Sequence, residues 1–242
     1  MMLKTCAMIC AAALLAACGT PKARQTHEGG VVAPIPTQPS AGVAAYHIDS
    51  AQSELRVLVY TAGPMARLGH NHVIVNRAVS GWVDTAGAAA AESFTLQVPV
   101  ADFVVDDAQT REAEGPDFSR EVTEDARAGT RHNMLSAALL DADRFPTITL
   151  SSITVTPAAG IQGPGTQAPI KLVATLAVQV AGHACKLMVP FTLEISVGRI
   201  SASGTAVLRQ SDMGLTPISV MLGALQVQDE LTVKFKLVAL KS

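Results

Sequence analysis

Apolar residues recur at every second position in run after run of this chain, and that one pattern limits what it can fold into. Leu55, Val57 and Val59 alternate with Glu54, Arg56 and Leu58, and Phe94, Leu96, Val98 and Val100 alternate with Thr95, Gln97 and Pro99. A period of two sends alternate side chains to opposite faces, so each run reads as a strand with one buried face. Further β-rich runs follow at 148–155, 170–180, 186–197, 199–209 and 231–240, with Pro or Gly at most boundaries. Residues 72–84 predict another strand, with Gly81 as a bend or bulge, while Pro99 and Pro190 argue for strand ends or edges. Some eight or nine strands without intervening helices make an antiparallel sheet, and that number commonly closes on itself. The fold class is therefore all-β, an antiparallel barrel of about eight strands.

One stretch breaks the pattern. Residues 107–127 are crowded with charge, residues 119–128 hold ordinary helix formers, and Met134, Leu135 and Ala138 fall at helical spacing. We expect one or two short helices crossing an end of the sheet, with Gly129 ending the first. Residues 157–169, with Gly160, Gly163 and Gly165, predict a long mobile connection.

Hydrophobic residues make up 49% of the chain but aromatics only 4%, so the core must be built from Val, Leu, Ile, Ala and Met. The lumen of an eight-stranded barrel takes either packed side chains or one small ligand. Residues of this kind suit both a narrow apolar tunnel and a filled core, and periodicity does not separate the two.

The N-terminus speaks to location. Lys4 precedes an apolar run over 3–17 that closes on Leu15-Ala16-Ala17-Cys18. A short positive start, an apolar stretch and small residues at the processing site describe a bacterial secretory signal. The terminal Leu-Ala-Ala-Cys resembles the lipobox of bacterial lipoproteins, which makes Cys18 the lipidation site and the membrane a partner through the lipid anchor. Gly19 follows where Asp can signal inner-membrane retention, so in a Gram-negative host the expected position is the outer membrane, facing the periplasm. Loss of residues 1–18 lowers Lys+Arg from 18 to 17 against 20 Asp+Glu, a net charge of −3, with no electrostatic reason to expect nucleic acid as a partner. It also leaves Cys185 as the one cysteine not removed or lipidated, so no intrachain disulfide is expected. Pro21, Pro34, Pro36 and Pro39 among Gly, Thr, Gln and Ser describe an extended tether. The chain thus divides into a signal at 1–18, a tether at 19–44 and a folded domain at 45–242.

Several segments together resemble the YceI-like family of secreted and periplasmic proteins. Tyr46-His47-Ile48-Asp49 resembles its opening strand. The run Thr130-Arg131-His132-Asn133-Met134-Leu135-Ser136, followed by Asp141-Ala142-Asp143-Arg144-Phe145-Pro146, resembles its most recognisable motif. Ala174-Thr175-Leu176 with Gly182-His183 resembles a later hairpin, Arg209-Gln210-Ser211-Asp212-Met213-Gly214 a family turn, and residues 225–233 the closing strand. Met213 stands where an aromatic is common, Asn133 follows His132 where His-Leu is common, and Arg67-Leu68-Gly69-His70-Asn71-His72 is absent from the common form. The resemblance implies a lipocalin-like barrel that binds isoprenoids or other long-chain amphiphiles, in a divergent branch.

Few polar residues suggest chemistry. His70 and His72 share a face if extended, so both imidazoles could reach one metal or haem, given a third donor from His132, Asp141 or His183. The alternative is a turn entering a strand, with each ring bonded to backbone. Arg131 and His132 fall where the insert meets the barrel; Arg131 could hold a ligand headgroup, or pair with Asp141 or Asp143 and lock the insert down. Arg209 and Asp212 read as a turn-stabilising pair, and Cys185 as an inert filler. No nucleophile elbow, phosphate loop or His-Glu-x-x-His pattern occurs. The sequence reading is a non-enzymatic binder of an isoprenoid, quinone or fatty-acyl compound in the envelope. The alternatives are a metal- or haem-associated redox accessory using His70 and His72, and an empty structural barrel that binds an envelope partner.

Overall fold

The computed structural model describes residues 44–85, 93–158 and 169–241. The signal with Cys18, the tether to residue 43 and most of the 157–169 connection lie outside the described residues. The strands are β1 (Ala44–Ile48), β2 (Glu54–Val59), β3 (Thr61–Ala62), β4 (His72–Asn76), β5 (Ser80–Thr85), β6 (Ser93–Pro99) and β7 (Val104–Val105). Helices α1 (Ala108–Ala113) and α2 (Glu124–Leu135) come next. After them come β8 (Thr147–Pro157), β9 (Ile170–Val180), β10 (His183–Ser196) and β11 (Arg199–Arg209), then β12 (Ser219–Val220), β13 (Leu225–Val227) and β14 (Glu230–Lys241).

Antiparallel pairing runs β1-β5-β6-β8-β9-β10-β11-β14 and returns from β14 to β1, which closes an eight-stranded barrel. Closure leaves no sheet edge at the seam where β1 meets β14. Along β9, Leu172, Ala174, Leu176, Val178 and Val180 are buried at the period of two. Three walls of the barrel, β1 with β2, β4 with β5 and β6 with β7, are bent strands rather than straight ones. β14 pairs with both β1 and β2, which are one wall folded at a turn where the Ser53 hydroxyl donates to the Asp49 carbonyl (2.7 Å) and accepts the Val238 N–H (3.0 Å).

β4 and β5 form the second bent wall, so the expected single strand over 72–84 breaks at 77–79, ahead of Gly81. The fully buried Asn76 holds that break, accepting the Ala78 N–H (2.9 Å) and donating to the Pro99 carbonyl (2.8 Å). Gly81 still carries the positive backbone angle (φ +142°), and a Cβ there would meet the Thr95 carbonyl oxygen at 2.0 Å. Pro99 ends β6 as expected. Pro190 instead lies within β10, beyond Thr192↔Ser203, the last pair of the β10–β11 ladder, where it has no N–H to extend the pairing.

Residues 106–146 cross one end of the barrel. Asp107 and Thr123 cap α1 and α2 with their side-chain oxygens, and Glu124 and Asp125 favour the start of α2 through its dipole. Gly129 does not end a helix: α2 runs straight through it, because the Thr123 cap and the buried Met134 outweigh one weak helix former. Beside α2, β12, β13 and β3 pair into a small sheet over the same end, so residues 225–233 make two strands rather than one.

Candidate functional site

The lumen is a cavity and not a filled core. An upper chamber of about 530 Å³ opens beneath α2 and the small sheet, and a lower one of about 150 Å³ continues it towards the other end. Leu55, Val98, Leu150, Leu187, Leu208 and Val233 line both chambers, so the two form one apolar passage. Val83, Leu193, Ile200 and Ala239 line the lower chamber and pack with Leu172 into one buried cluster. Space exists because the inward positions are aliphatic and some are small: Ala174, Ala202 and Ala206 face the lumen, and Gly204 lets the Phe235 ring lie where a Cβ would be only 2.7 Å from it.

No Lys, Arg, Asp or Glu lines either chamber. Polar groups gather only at the upper end, where β2 finishes and β4 begins. His70 and His72 meet there edge to face, with ring centroids 4.7 Å apart, so the His-x-His pair does share one side of the chain. His72 does not bond backbone as the turn reading held. Its Nδ1 lies 2.6 Å from the Oδ2 of Asp106, and its Nε2 lies 3.4 Å from the Thr130 hydroxyl on α2. Asn71 points away and ties neighbours together, accepting the Thr61 N–H (3.0 Å) and donating to the Asp117 carbonyl (3.1 Å).

Asp106 is fully buried, in the left-handed region at φ +55°. Its Oδ1 accepts the Val73 N–H (2.9 Å) and the Arg111 guanidinium (2.5 Å). Burial pushes its pKa up, but His72, the Val73 N–H and Arg111 together hold it below the usual carboxylate range. Asp106 is therefore ionised at neutral pH and accepts the Nδ1–H of His72, which fixes the orientation of the ring. Burial, then the neighbouring His72, pushes His70 below the usual histidine range, so it stays neutral.

Nothing in the sequence pattern pointed to Asp106 or Arg111. They join a strand end to a helix 30 or more residues from His72, and only the fold brings them together.

The third donor for a metal does not arrive. Among the described residues no three His, Cys, Asp or Glu side chains are grouped to hold an ion. Arg131 pairs with neither Asp141 nor Asp143; it donates to the Ala101 carbonyl (2.7 Å) and so does tie the insert to the barrel. His132 is exposed beside it, and α2 faces the cavity through Ala126, Gly129, Thr130, Asn133 and Met134 instead. Arg209 pairs with Glu230 (3.1 Å), not Asp212, and the turn is held by Asp229, which accepts from the Ser211 N–H and hydroxyl. Cys185 is buried, and burial followed by the charge of Asp212 pushes its thiol up to about 11, which keeps it inert at neutral pH.

A profile of the YceI-like domain matches residues 46–239. Two solved structures share the fold. BcnA of Burkholderia cenocepacia has a TM-score of 0.53 at 19% identity, covering 79% of this chain and 99% of that one. A polyisoprenoid binding domain from Saccharophagus degradans, implicated in plant cell wall breakdown, has a TM-score of 0.53 at 13% identity, covering 83% and 99%. No curated protein matches the sequence.

Proposed function

The chain belongs to the YceI-like family, and on that premise we propose that it is a non-enzymatic carrier of a long-chain apolar compound of isoprenoid, quinone or fatty-acyl type, held by a lipid on Cys18 at the periplasmic side of a bacterial membrane. The observation that carries this reading is the uncharged aliphatic passage through the barrel. Its larger chamber, about 530 Å³, falls in the ~300–1,000 Å³ range of small-molecule pockets. Each buried CH₂ of a ligand contributes about 0.8 kcal/mol, so a chain of ten carbons or so binds usefully without any charged contact. The surroundings of the mouth fit delivery from a membrane. Leu68 adjoins Gly69 at the rim, and Met221 and Leu222 follow Val220 there, all three strongly exposed. Met221 and Leu222 are both held at positive φ, a conformation that costs about 1–3 kcal/mol for such residues.

The test is organic extraction and mass spectrometry of the purified protein, with a displacement titration of a fluorescent apolar probe. A co-purifying isoprenoid or acyl compound that competes with the probe supports the reading. An empty protein that takes up no probe would leave the empty structural barrel as the better account. The anchor has its own test. Cys18→Ser is expected to abolish metabolic palmitate labelling and to release the protein from the membrane fraction, and labelling that persists overturns it.

A further inference from the structure

The end of the barrel that holds the mouth presents an apolar tip to solvent. Leu68, Val220, Met221 and Leu222 are all exposed there, and Leu222 is completely so. The two turns that carry them are clamped side by side: the Met65 N–H donates to the Ala224 carbonyl (2.9 Å), and the Ala224 N–H to the Met221 carbonyl (3.1 Å). Met221, Leu222 and Gly223 follow one another at φ +53°, +55° and +89°. Two large side chains are thus held out into water by a conformation that itself costs free energy, the reverse of what burial would favour. Val197 tips the opposite end, but its turn puts the positive φ on Gly198 and carries no such strain.

Charge marks the same surface. Residues 213–228 contain no charged side chain, and residues 57–69 contain only Arg67. Arg67 is exposed beside Leu68, and Arg120 reaches from the insert to donate to the Arg67 and Gly69 carbonyls (3.2 and 2.6 Å). Neither guanidinium has a carboxylate partner among the described residues. An apolar tip flanked by two uncompensated cations fits the surface of an anionic bilayer, which takes apolar side chains into its headgroup boundary and attracts each Arg through its negative potential.

The path to the anchor permits this contact. β14 runs from Glu230 near the mouth to Lys241, which pairs with Tyr46, so the N-terminal segment joins the barrel at the end opposite the mouth. A 12-residue strand spans at most ~40 Å, whereas residues 19–43 reach up to ~80 Å when extended. A lipid on Cys18 leaves enough chain for the barrel to turn its mouth towards the membrane.

We propose that the turns at 66–68 and 220–222 dock the barrel, mouth down, on an anionic phospholipid bilayer, with Leu68, Met221 and Leu222 inserted and Arg67 and Arg120 on the lipid phosphates. The proposal rests on the carrier reading and its Cys18 anchor, and adds the surface and the orientation at which the cargo is exchanged.

The experiment places one environment-sensitive fluorophore on the mature lipidated protein, at Leu222→Cys or at Val197→Cys, with Cys185 buried and unlabelled. Each is reconstituted into phosphatidylcholine vesicles with or without phosphatidylglycerol. Nitroxide-labelled phospholipid is expected to quench position 222 by about half or more in the anionic vesicles and to leave position 197 bright. The Arg67 side chain makes no hydrogen bond or ion pair among the described residues, so Arg67→Gln leaves the fold intact. It is expected to lower the ratio of docked to free barrel about fivefold in anionic vesicles and to change nothing in phosphatidylcholine alone. Quenching at 197 instead of 222, or at neither, overturns the proposal. An emission shift at 222 that follows protein concentration rather than vesicles assigns the tip to a second copy of this chain and also overturns it. Uptake of an apolar dye by the same samples reads the carrier function separately. Uptake without quenching at 222 leaves a carrier that does not dock, and quenching without uptake keeps the docking surface while the carrier reading falls.

Discussion

Asp106 shows how much one residue can organise. It sits at positive φ, fully buried, and satisfies a strand N–H, a guanidinium and an imidazole at once. Asp106→Asn keeps the shape but removes the charge that Arg111 faces, and breaking a buried pair of this kind costs about 3–5 kcal/mol. Urea denaturation at pH 7 should show a loss of that size. The same site sets the pH response. Because Asp106 is depressed in the fold, its stabilising contribution is complete above roughly pH 4 and disappears as pH falls through its lower folded value. His70 is depressed too, so a first loss of stability begins below roughly pH 6.5, where the unfolded chain binds a proton that the folded one resists. His70→Gln should abolish this first step and leave the acid one, which urea midpoints across pH 3–8 would show. Cys185, raised to about 11 and buried, should stay unreactive to a disulfide reagent at pH 8 until the protein is unfolded. Prompt labelling of the native protein would contradict its place inside the wall.

Among the elements, α2 carries the most testable consequences, since it is both a cover and part of the wall. A Cβ added at Gly129 meets nothing within 4 Å, yet the residue borders the cavity mouth. Gly129→Leu should therefore gain up to ~1 kcal/mol of stability from helix propensity while obstructing the mouth and slowing or weakening probe uptake. A thermal melt and a dye titration on one sample separate the two effects. Arg131→Ala, by contrast, removes only a surface tie to Ala101 and should leave probe affinity unchanged. The rim turn at Met221 and Leu222 makes the complementary case: replacing both with Ser should slow transfer of a probe from vesicles without altering its affinity in solution.

At the scale of the whole molecule, closure of the barrel between β1 and β14 determines what the rest can do. Pairing Tyr46 with Lys241 joins the two ends of the folded domain, so stability depends on residues at both extremes of the sequence. Two α-helices of 6 and 12 residues are all that is helical beyond short 3₁₀ turns among the described residues. A circular-dichroism spectrum should be dominated by β-structure, with helix well under ~25%.

The sequence determined the long strands of the barrel, its antiparallel class of about eight strands and the place of the insert, because period-two burial and Gly or Pro punctuation are local properties of the chain. Its family resemblance, carried by motifs spread from Tyr46 to residue 240, was legible for the same reason. The bends were less so. The break at 77–79 depends on Asn76 reaching Pro99 across the sheet, a contact that no window of sequence contains. Whether the aliphatic interior is full or hollow was left to the tertiary structure, since Val, Leu and Ala alternate identically in both cases and only the diameter of the closed ring and the small residues at Ala174, Gly204 and Ala206 decide. His70 and His72 were visible as a pair, but their partner was not. Asp106 lies 34 positions from His72, and a side chain's proton belongs to whatever the fold places against it.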